Sequence, residues 1–520
     1  MTELIWPPSL RVSSAEWGLI GNAGESRSPL NGVSQTIDRS GDRWRVTLTV
    51  ENASNRASIA ERRIAESFLA SIRNKNNRVW ITPPGDSLTG SFPAAELFTN
   101  ADFSNGTTGW SAQQCTLSVT DRVMRLTAAR TSTAAIGISQ SPTVTQYRPL
   151  VARGFYGPRT RSGLTLGIYA NGAGNYATDR QGLQAVSWVP LSTSAGATYP
   201  IVYDGGWNVS ITGDWIDTPF VSLANCALVD NGGNYMLQSD AAQTTWAATN
   251  VTVSANAHTA PDGTSTADGL IEDSSTGFHF LQQSYTRASV AEGWCAYADM
   301  ASVASSRNGA LDVSDGAGNG STCIFDLTAG TAGTPNISGT ATNARAFIVA
   351  LGNGYYRCYL IARLPASTTT RMQVLISNGS TLSYAGNGSG RISVWRMGAN
   401  RTAIPSRATA TTTTVVAPAN QTGGGLYLKG LPASTQNLAY AGDWCQIGDQ
   451  LFKLTAALDS DAAGLGYLQI SPNVRAPFAD NAPVIFNQPM AKMRLADEEM
   501  SWTRAPGGFG TFKLSFEESL

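Results

Sequence analysis

The chain has 520 residues, 42% of them hydrophobic, so it can build several packed cores and is not disordered by composition. Only 14% are charged and the net charge is −1, which leaves no electrostatic footprint for nucleic acid. Glycine, at 52 residues, is abundant, and Ser, Thr and Asn are visibly enriched, as in a turn-rich, mainly β protein.

The start, MTELIWPPSLRVSS, has no basic region before its short apolar run, so no secretory signal is expected there. RWRVTLTV (43–50) alternates with strand period. A helix is predicted next. Ser58 with Glu61 has the spacing of a capping box, and Ala60, Ile64, Phe68 and Ile72 recur every four residues as one apolar stripe. Arg62, Arg63, Glu66 and Arg73 fall off that stripe. RVWITPP (78–84) reads as the strand that follows.

At residue 98 the composition changes. The chain has five lysines (Lys75, Lys429, Lys453, Lys492 and Lys513), and none lies between 76 and 428. Of the glutamates, only Glu272 and Glu292 lie between 98 and 405, against eleven elsewhere. An insertion into a loop explains this better than domains in series. The expected parts are 1–97 and 406–520 as one split domain, with 98–230 and 231–405 as two tandem modules between them. Bridging residues 98–405 with a tether should then leave a compact remnant.

Residues 98–230 open on NADFSNGTTGW (100–110), and 231–405 open near Trp246 and an alternating Val251-Thr-Val. Both read as short strands with Gly/Asn turns. The stretch 402–425 reads as an extended linker. Beyond it come GLYLKGL, DWCQIGDQLFKLTA, GYLQISP, APVIFN, AKMRLA and GTFKLSFEE, short strands of a barrel or sandwich. No stretch approaches ~18 continuous apolar residues, so no membrane insertion is expected.

Signals for catalysis are thin. The two histidines, His258 and His279, lie in neither an H-E-x-x-H helix nor near a G-x-S-x-G elbow. GAGNG (316–320) and GNGSG (386–390) lack the strand-loop-helix context of a phosphate loop and read as turns. The middle holds 15 Asp, mostly in turn settings such as Ala-Pro-Asp-Gly, rather than an evident pair of glycosidase carboxylates. The six cysteines are widely spaced, without CxxC, and read as buried free thiols. No metal site or cofactor is expected, because no D-x-D-x-D spacing supports calcium.

Aromatics are the other candidates, since sugar recognition needs flat rings beside polar rims. Trp110, Trp246, Trp294 and Trp395 sit in strand-like settings that suit core anchors. Trp207 and Trp215, in YDGGWNVSITGDW, and Tyr176, in NGAGNYATDR, stand among Gly, Asp and Asn and are the candidate carbohydrate-binding residues.

Two resemblances add to this reading. Trp246, the string APDGTSTADGLIE (260–272) and GYYRCY (354–359) resemble the carbohydrate-binding-like jelly-roll modules of tailed-phage structural proteins, and NADFSNGTTGW resembles the opening of carbohydrate-binding families. The flanks are similar to distal tail proteins of long-tailed bacteriophages. The residues that carry this are LIWPPSLRV, ERRIAESFLASIR (61–73), GDWCQIGDQLFKLTA (442–456), SPNVRAPFADNAPV (471–484) and RLADEEMSWTRAPGGFGTFKLSFEE (494–518). The resemblance implies a mainly β fold: a ring-forming β-barrel or sandwich domain with one α-helix, split by two tandem β-sandwich modules. It implies a virion structural protein at the tail tip, made in the host cytoplasm and active in host adsorption. Its partners would be copies of itself in a homo-hexameric ring, the tail tube protein, tail-tip hub or baseplate proteins and host cell-surface polysaccharide. No enzyme is expected. The alternatives are a tail fibre or receptor-binding protein, and a polysaccharide-degrading enzyme.

Overall fold

A computed structural model describes residues 3–7, 10, 12–22, 24–27, 34–37, 41–50, 59–72, 76–83, 88–93, 95–120, 122–129, 136–157, 159–160, 164–170, 173–176, 182–191, 198–204, 212–303, 307–414, 421–496 and 512–519. The fold is mainly β, with helices at Ile59–Ile72 and at the single turn Ala242–Thr245.

The two ends of the chain meet in one six-stranded sheet. Its order is Glu3–Ile5, Arg78–Ile81, Ala491–Leu495, Phe512–Glu518, Arg43–Val50, Val12–Ile20. Alternation explains the pairing of the central strands. Val46, Leu48 and Val50 are buried, and Leu514 and Phe516 lie opposite Leu48 and Val46 and join the same core. Phe68, Leu69 and Ile72 of the helix pack on that core, and Trp6 meets Phe68 edge-on at 5.3 Å. Ser58 and the side chains of Ala60, Glu61, Arg62, Arg63 and Ile64 lie outside the described residues.

Beside this sheet stands a closed barrel of six strands: Ala227–Val229, Gln421–Lys429, Gly466–Phe478, Gln450–Leu454, Trp444–Ile447 and Pro483–Ile485. Closure leaves no open edge. The strand Ala227–Val229 comes from the segment between the two modules. It pairs with Gln421–Lys429 on one side and Pro483–Ile485 on the other, and all its residues are buried. The chain therefore leaves the flanking sheet, makes the first module, returns for one barrel strand, leaves again for the second module, and returns at Gln421.

Buried charge holds that return point. The Asp230 carboxylate accepts from the Ser406 hydroxyl at 2.7 Å and from the Gly232 and Arg407 amides at 3.0 and 2.5 Å. Lys429, fully buried, places its Nζ 2.8 Å from Asp480 Oδ1 and 3.6 Å from Asp230 Oδ1. A buried cation needs such partners. Residues 402–414 are pinned as well: the Tyr297 hydroxyl takes the Thr409 amide at 3.1 Å, and Thr411 Oγ1 donates to Met236 O at 2.7 Å. The described first part of the expected linker, 402–414, thus lies against the second module, and Gln421–Gly425 is already barrel strand.

The sheet and barrel are joined by the last acidic residue. Glu518, buried, accepts from Trp44 N at 3.2 Å, Leu451 N at 3.1 Å and Arg475 Nη1 at 2.6 Å. The Trp44 indole donates to Leu451 O at 2.9 Å.

The first module is a set of small antiparallel sheets around Phe103, Trp110, Met124, Leu150, Tyr156 and Leu223. It docks on the barrel through Arg153, which donates to Asn487 O at 2.6 Å, Gln488 O at 3.1 Å and Gln446 Oε1 at 3.3 Å. Burial lowers the Arg153 pKa to about 10, against the opposing pull of Glu96. Glu96 is itself held by Ser222 Oγ at 2.5 Å and the Leu223 amide at 2.8 Å, and burial raises its pKa in spite of those bonds.

The second module is a β-sandwich built on two long strands, Thr276–Ser302 and Tyr355–Ser377. Their register shifts between Thr286 and Glu292, where Arg287 fills the bulge and donates to Val290 O at 2.5 Å and Pro365 O at 2.9 Å. Trp294 and Trp246 anchor the core. All six cysteines are free and buried.

Two expectations follow. Replacing Lys429 by Met leaves the buried Asp230 carboxylate and the half-buried Asp480 without their shared cation and should cost about 3 kcal/mol in chemical denaturation; a loss under about 1 kcal/mol would contradict the pairing. Deleting 98–224 and 234–405 while keeping the intervening residues should preserve a cooperative unfolding transition. Deleting 98–405 as one block removes a barrel strand and should abolish that transition, and equal behaviour of the two deletions would contradict this topology.

Candidate glycan-binding surfaces

The opening of the first module is a self-bonded loop. Asn100, at φ 57°, donates through Nδ2 to Gly106 O at 2.8 Å, while its Oδ1 accepts the Asn105 amide at 2.9 Å. The Trp110 indole donates to Asn100 O at 3.0 Å, and its ring packs on Phe98 and Phe103. The Asn, Phe and Trp of this stretch are therefore core and loop-closing residues. Trp246 is similar, buried with its indole on Leu237 O at 3.1 Å. Trp294 is fully buried and donates to Glu292 Oε1 at 3.1 Å. Trp395 is buried under the Arg396 guanidinium, 4.0 Å from its ring centroid.

Trp215 is half-buried at the start of the strand Trp215–Thr218. The Arg125 guanidinium lies 3.7 Å from its ring centroid, and Nε and Nη2 of Arg125 donate to the two Asp217 oxygens at 2.7 and 2.9 Å. The hydrogen bonds to Asp217 raise the Arg125 pKa above its already high ordinary value. One face of Trp215 is thus occupied by a clamped cation, and a sugar ring would have to use the other. Arg125 is distant in sequence; strand pairing, with Asp217 opposite Arg125, brings it there. The backbone of Tyr176 lies in an edge strand of a five-stranded sheet, opposite Gly167, whereas Trp215 belongs to a separate three-stranded sheet. Trp207 and the side chain of Tyr176 lie outside the described residues.

Three groups that the sequence offers for hydrolysis, His279, Glu272 and Glu292, are tied into the scaffold. His279 is fully buried, its ring nitrogens 2.8 Å from Asn250 O and 3.3 Å from Tyr384 O. Burial, then Arg391, lowers the pKa of His258. Glu272 is clamped by Arg307 at 2.6 and 3.0 Å and by the Tyr384 hydroxyl at 2.6 Å. Burial alone would raise its carboxyl, but the Arg307 and Tyr384 bonds outweigh it and hold the pKa below its usual value. Glu292 accepts from Arg401 at 2.6 and 2.9 Å. The Gly-rich strings are turns. Asp315 Oδ1 takes the Ala317 and Asn319 amides at 2.7 and 3.1 Å, and Asn387 Oδ1 takes the Ser389 and Gly390 amides, both at 2.8 Å. Among the described residues no three His, Cys, Asp or Glu side chains converge as a metal site, and no helix is long and apolar enough to cross a membrane.

No protein-family model matches this chain, and neither does any curated protein. Among solved structures, the N-terminal CBM22-1–CBM22-2 tandem domain of Paenibacillus barcinonensis Xyn10C aligns with 61% of this chain and 100% of its own, at 12% identity and a TM-score of 0.21. The mycobacterial arabinofuranosyltransferase AftD aligns with 76% of this chain and 42% of its own, at 8% identity and a TM-score of 0.12.

Replacing Arg125 by Ala should uncover Trp215 at a stability cost of about 1–3 kcal/mol, because it leaves the buried Asp217 carboxylate without its bidentate donor. Acrylamide should then quench tryptophan emission more strongly, and unchanged quenching would contradict the stacked arrangement.

Proposed function

We propose that this protein is a virion structural protein, a subunit of the distal tail ring that joins the tail tube to the tail-tip complex of a long-tailed phage. It carries two β-sandwich modules that contact host-surface polysaccharide, and it acts by binding rather than by catalysis. The sequence resemblance of both flanks supports the ring assignment. The observation that carries the reading is the six-stranded sheet built from both chain ends, from which the modules loop out. Such a sheet can be repeated around a ring while its insertions vary. Binding at each module would be weak, and repetition around the ring would raise the effective concentration.

Native mass spectrometry of the full chain tests the assembly. About six copies per particle are expected, as in a closed cyclic ring. A stable trimer would overturn the reading in favour of a tail fibre. Gold-labelled antibody against the protein should decorate the tail tip of intact virions, and labelling confined to distal fibres would do the same.

A further inference from the structure

The strands Gln421–Lys429 and Gly466–Phe478 pair so that Tyr427 stands directly opposite Tyr467. Leu426, Leu428 and Leu468 fill the barrel, so both tyrosines point outward, and they are exposed by 42% and 47%. Their ring centroids are 5.0 Å apart at 53°, which makes a tilted two-ring platform. A single exposed tyrosine means nothing. This pair, however, lines a cleft of about 310 Å³ between the barrel and the second module. Val349, Leu351 and Tyr359 of the module also line it. The volume lies at the lower end of small-molecule sites, about 300–1,000 Å³.

The polar groups of the cleft are few and balanced in charge. Arg357 is committed to Asp299, donating to both its oxygens at 2.7 Å. Asp230 is committed to Lys429, Ser406 and the Arg407 amide. Two groups remain at the rim. The Arg407 guanidinium lies 4.4 Å over Tyr427 and uses Nη2 on Asn231 O at 3.3 Å. Asp461 uses Oδ1 for the Ala463 and Leu465 amides, both at 2.9 Å, and Oδ2 takes no part in that turn. Flat rings with one acceptor and one donor, and no net charge, suit a ligand with an apolar ring face and hydroxyl edges. An anionic ligand would meet Asp461, and a peptide would find no unpaired strand on the closed barrel.

We propose that this cleft binds a neutral hexopyranose unit of a polysaccharide, stacked on Tyr467, flanked by the tilted Tyr427 ring that Arg407 covers on one face, and hydrogen-bonded by Asp461 and Arg407. The inference rests on the glycan-recognition half of the proposed function and moves it from the modules to their junction with the barrel. A sugar bound there touches two bodies at once and holds the second module against the barrel.

The test is saturation-transfer NMR on the full chain with methyl α-glucopyranoside, methyl α-galactopyranoside, methyl α-mannopyranoside and N-acetylglucosamine as separate probes. At least one should bind. Tyr427→Ala and Tyr467→Ala should each weaken it by about fivefold or more, the loss expected for one stacking partner. Gly425→Ala is a second variant, because a methyl group there collides with the Tyr467 hydroxyl and displaces the ring without touching the polar rim; it should weaken binding as well. If a probe binds and all three variants bind it equally, this site is overturned while glycan recognition stands elsewhere. If no probe binds, both this site and the glycan half of the reading fail, and the ring assignment remains to be judged by its mass.

Discussion

A barrel closes only if its last strand is present, and here that strand is three residues lent by the connection between the inserted modules. Ala227–Val229 is apolar and buried but only three residues long, and its pairing partners, Leu428 with Lys429 and Pro483 with Val484, are remote in the chain. What fixes it is the pair of ladders on either side, together with Asp230 at its end. Leaving those strands unpaired would open an edge in the middle of the scaffold. The placement of both modules follows from this constraint, because each begins or ends within a few residues of the same strand.

Three junctions between bodies, otherwise closed by apolar contacts such as Trp80 and Met490 on Phe155 and Phe220, share one device, a buried charge satisfied by the neighbour. Glu518 joins the flanking sheet to the barrel, Arg153 joins the first module to the barrel, and Asp230 with Lys429 joins the return point to both. A buried charge is costly unless its partners are in place, so such contacts penalise any docking in which they are misaligned. They fix orientation more than they add stability.

Much of this was legible in the sequence, for physical reasons. Alternation in RWRVTLTV and FKLSFEE named two central strands, and the loss of Lys and Glu after residue 97 marked where the chain changes character. The turn roles of Asp315 and Asn387 followed from local chemistry, which neighbours in sequence decide. The barrel strand at 227–229 was not legible, since three apolar residues carry no period and their partners are remote. Trp215 looked open among Gly and Asp, yet its covering cation comes from Arg125 through strand pairing. Tyr427 and Tyr467 could be read as the outward positions of alternating strands, but only the neighbouring module turns that surface into a cleft.

The two modules are therefore better regarded as separate excursions from one barrel than as a single passenger. This organisation lets either module vary while the strand between them is retained, and it puts a ligand-sized cleft where a module meets the scaffold. The most direct measurement is native-state hydrogen exchange on the full chain. The Val229 amide, bonded to Ala482 O at 2.9 Å, should exchange as slowly as amides in the centre of Gln421–Lys429 and only through global opening of the barrel. Exchange of Val229 at the rate of an exposed linker, with the barrel amides still protected, would contradict the account.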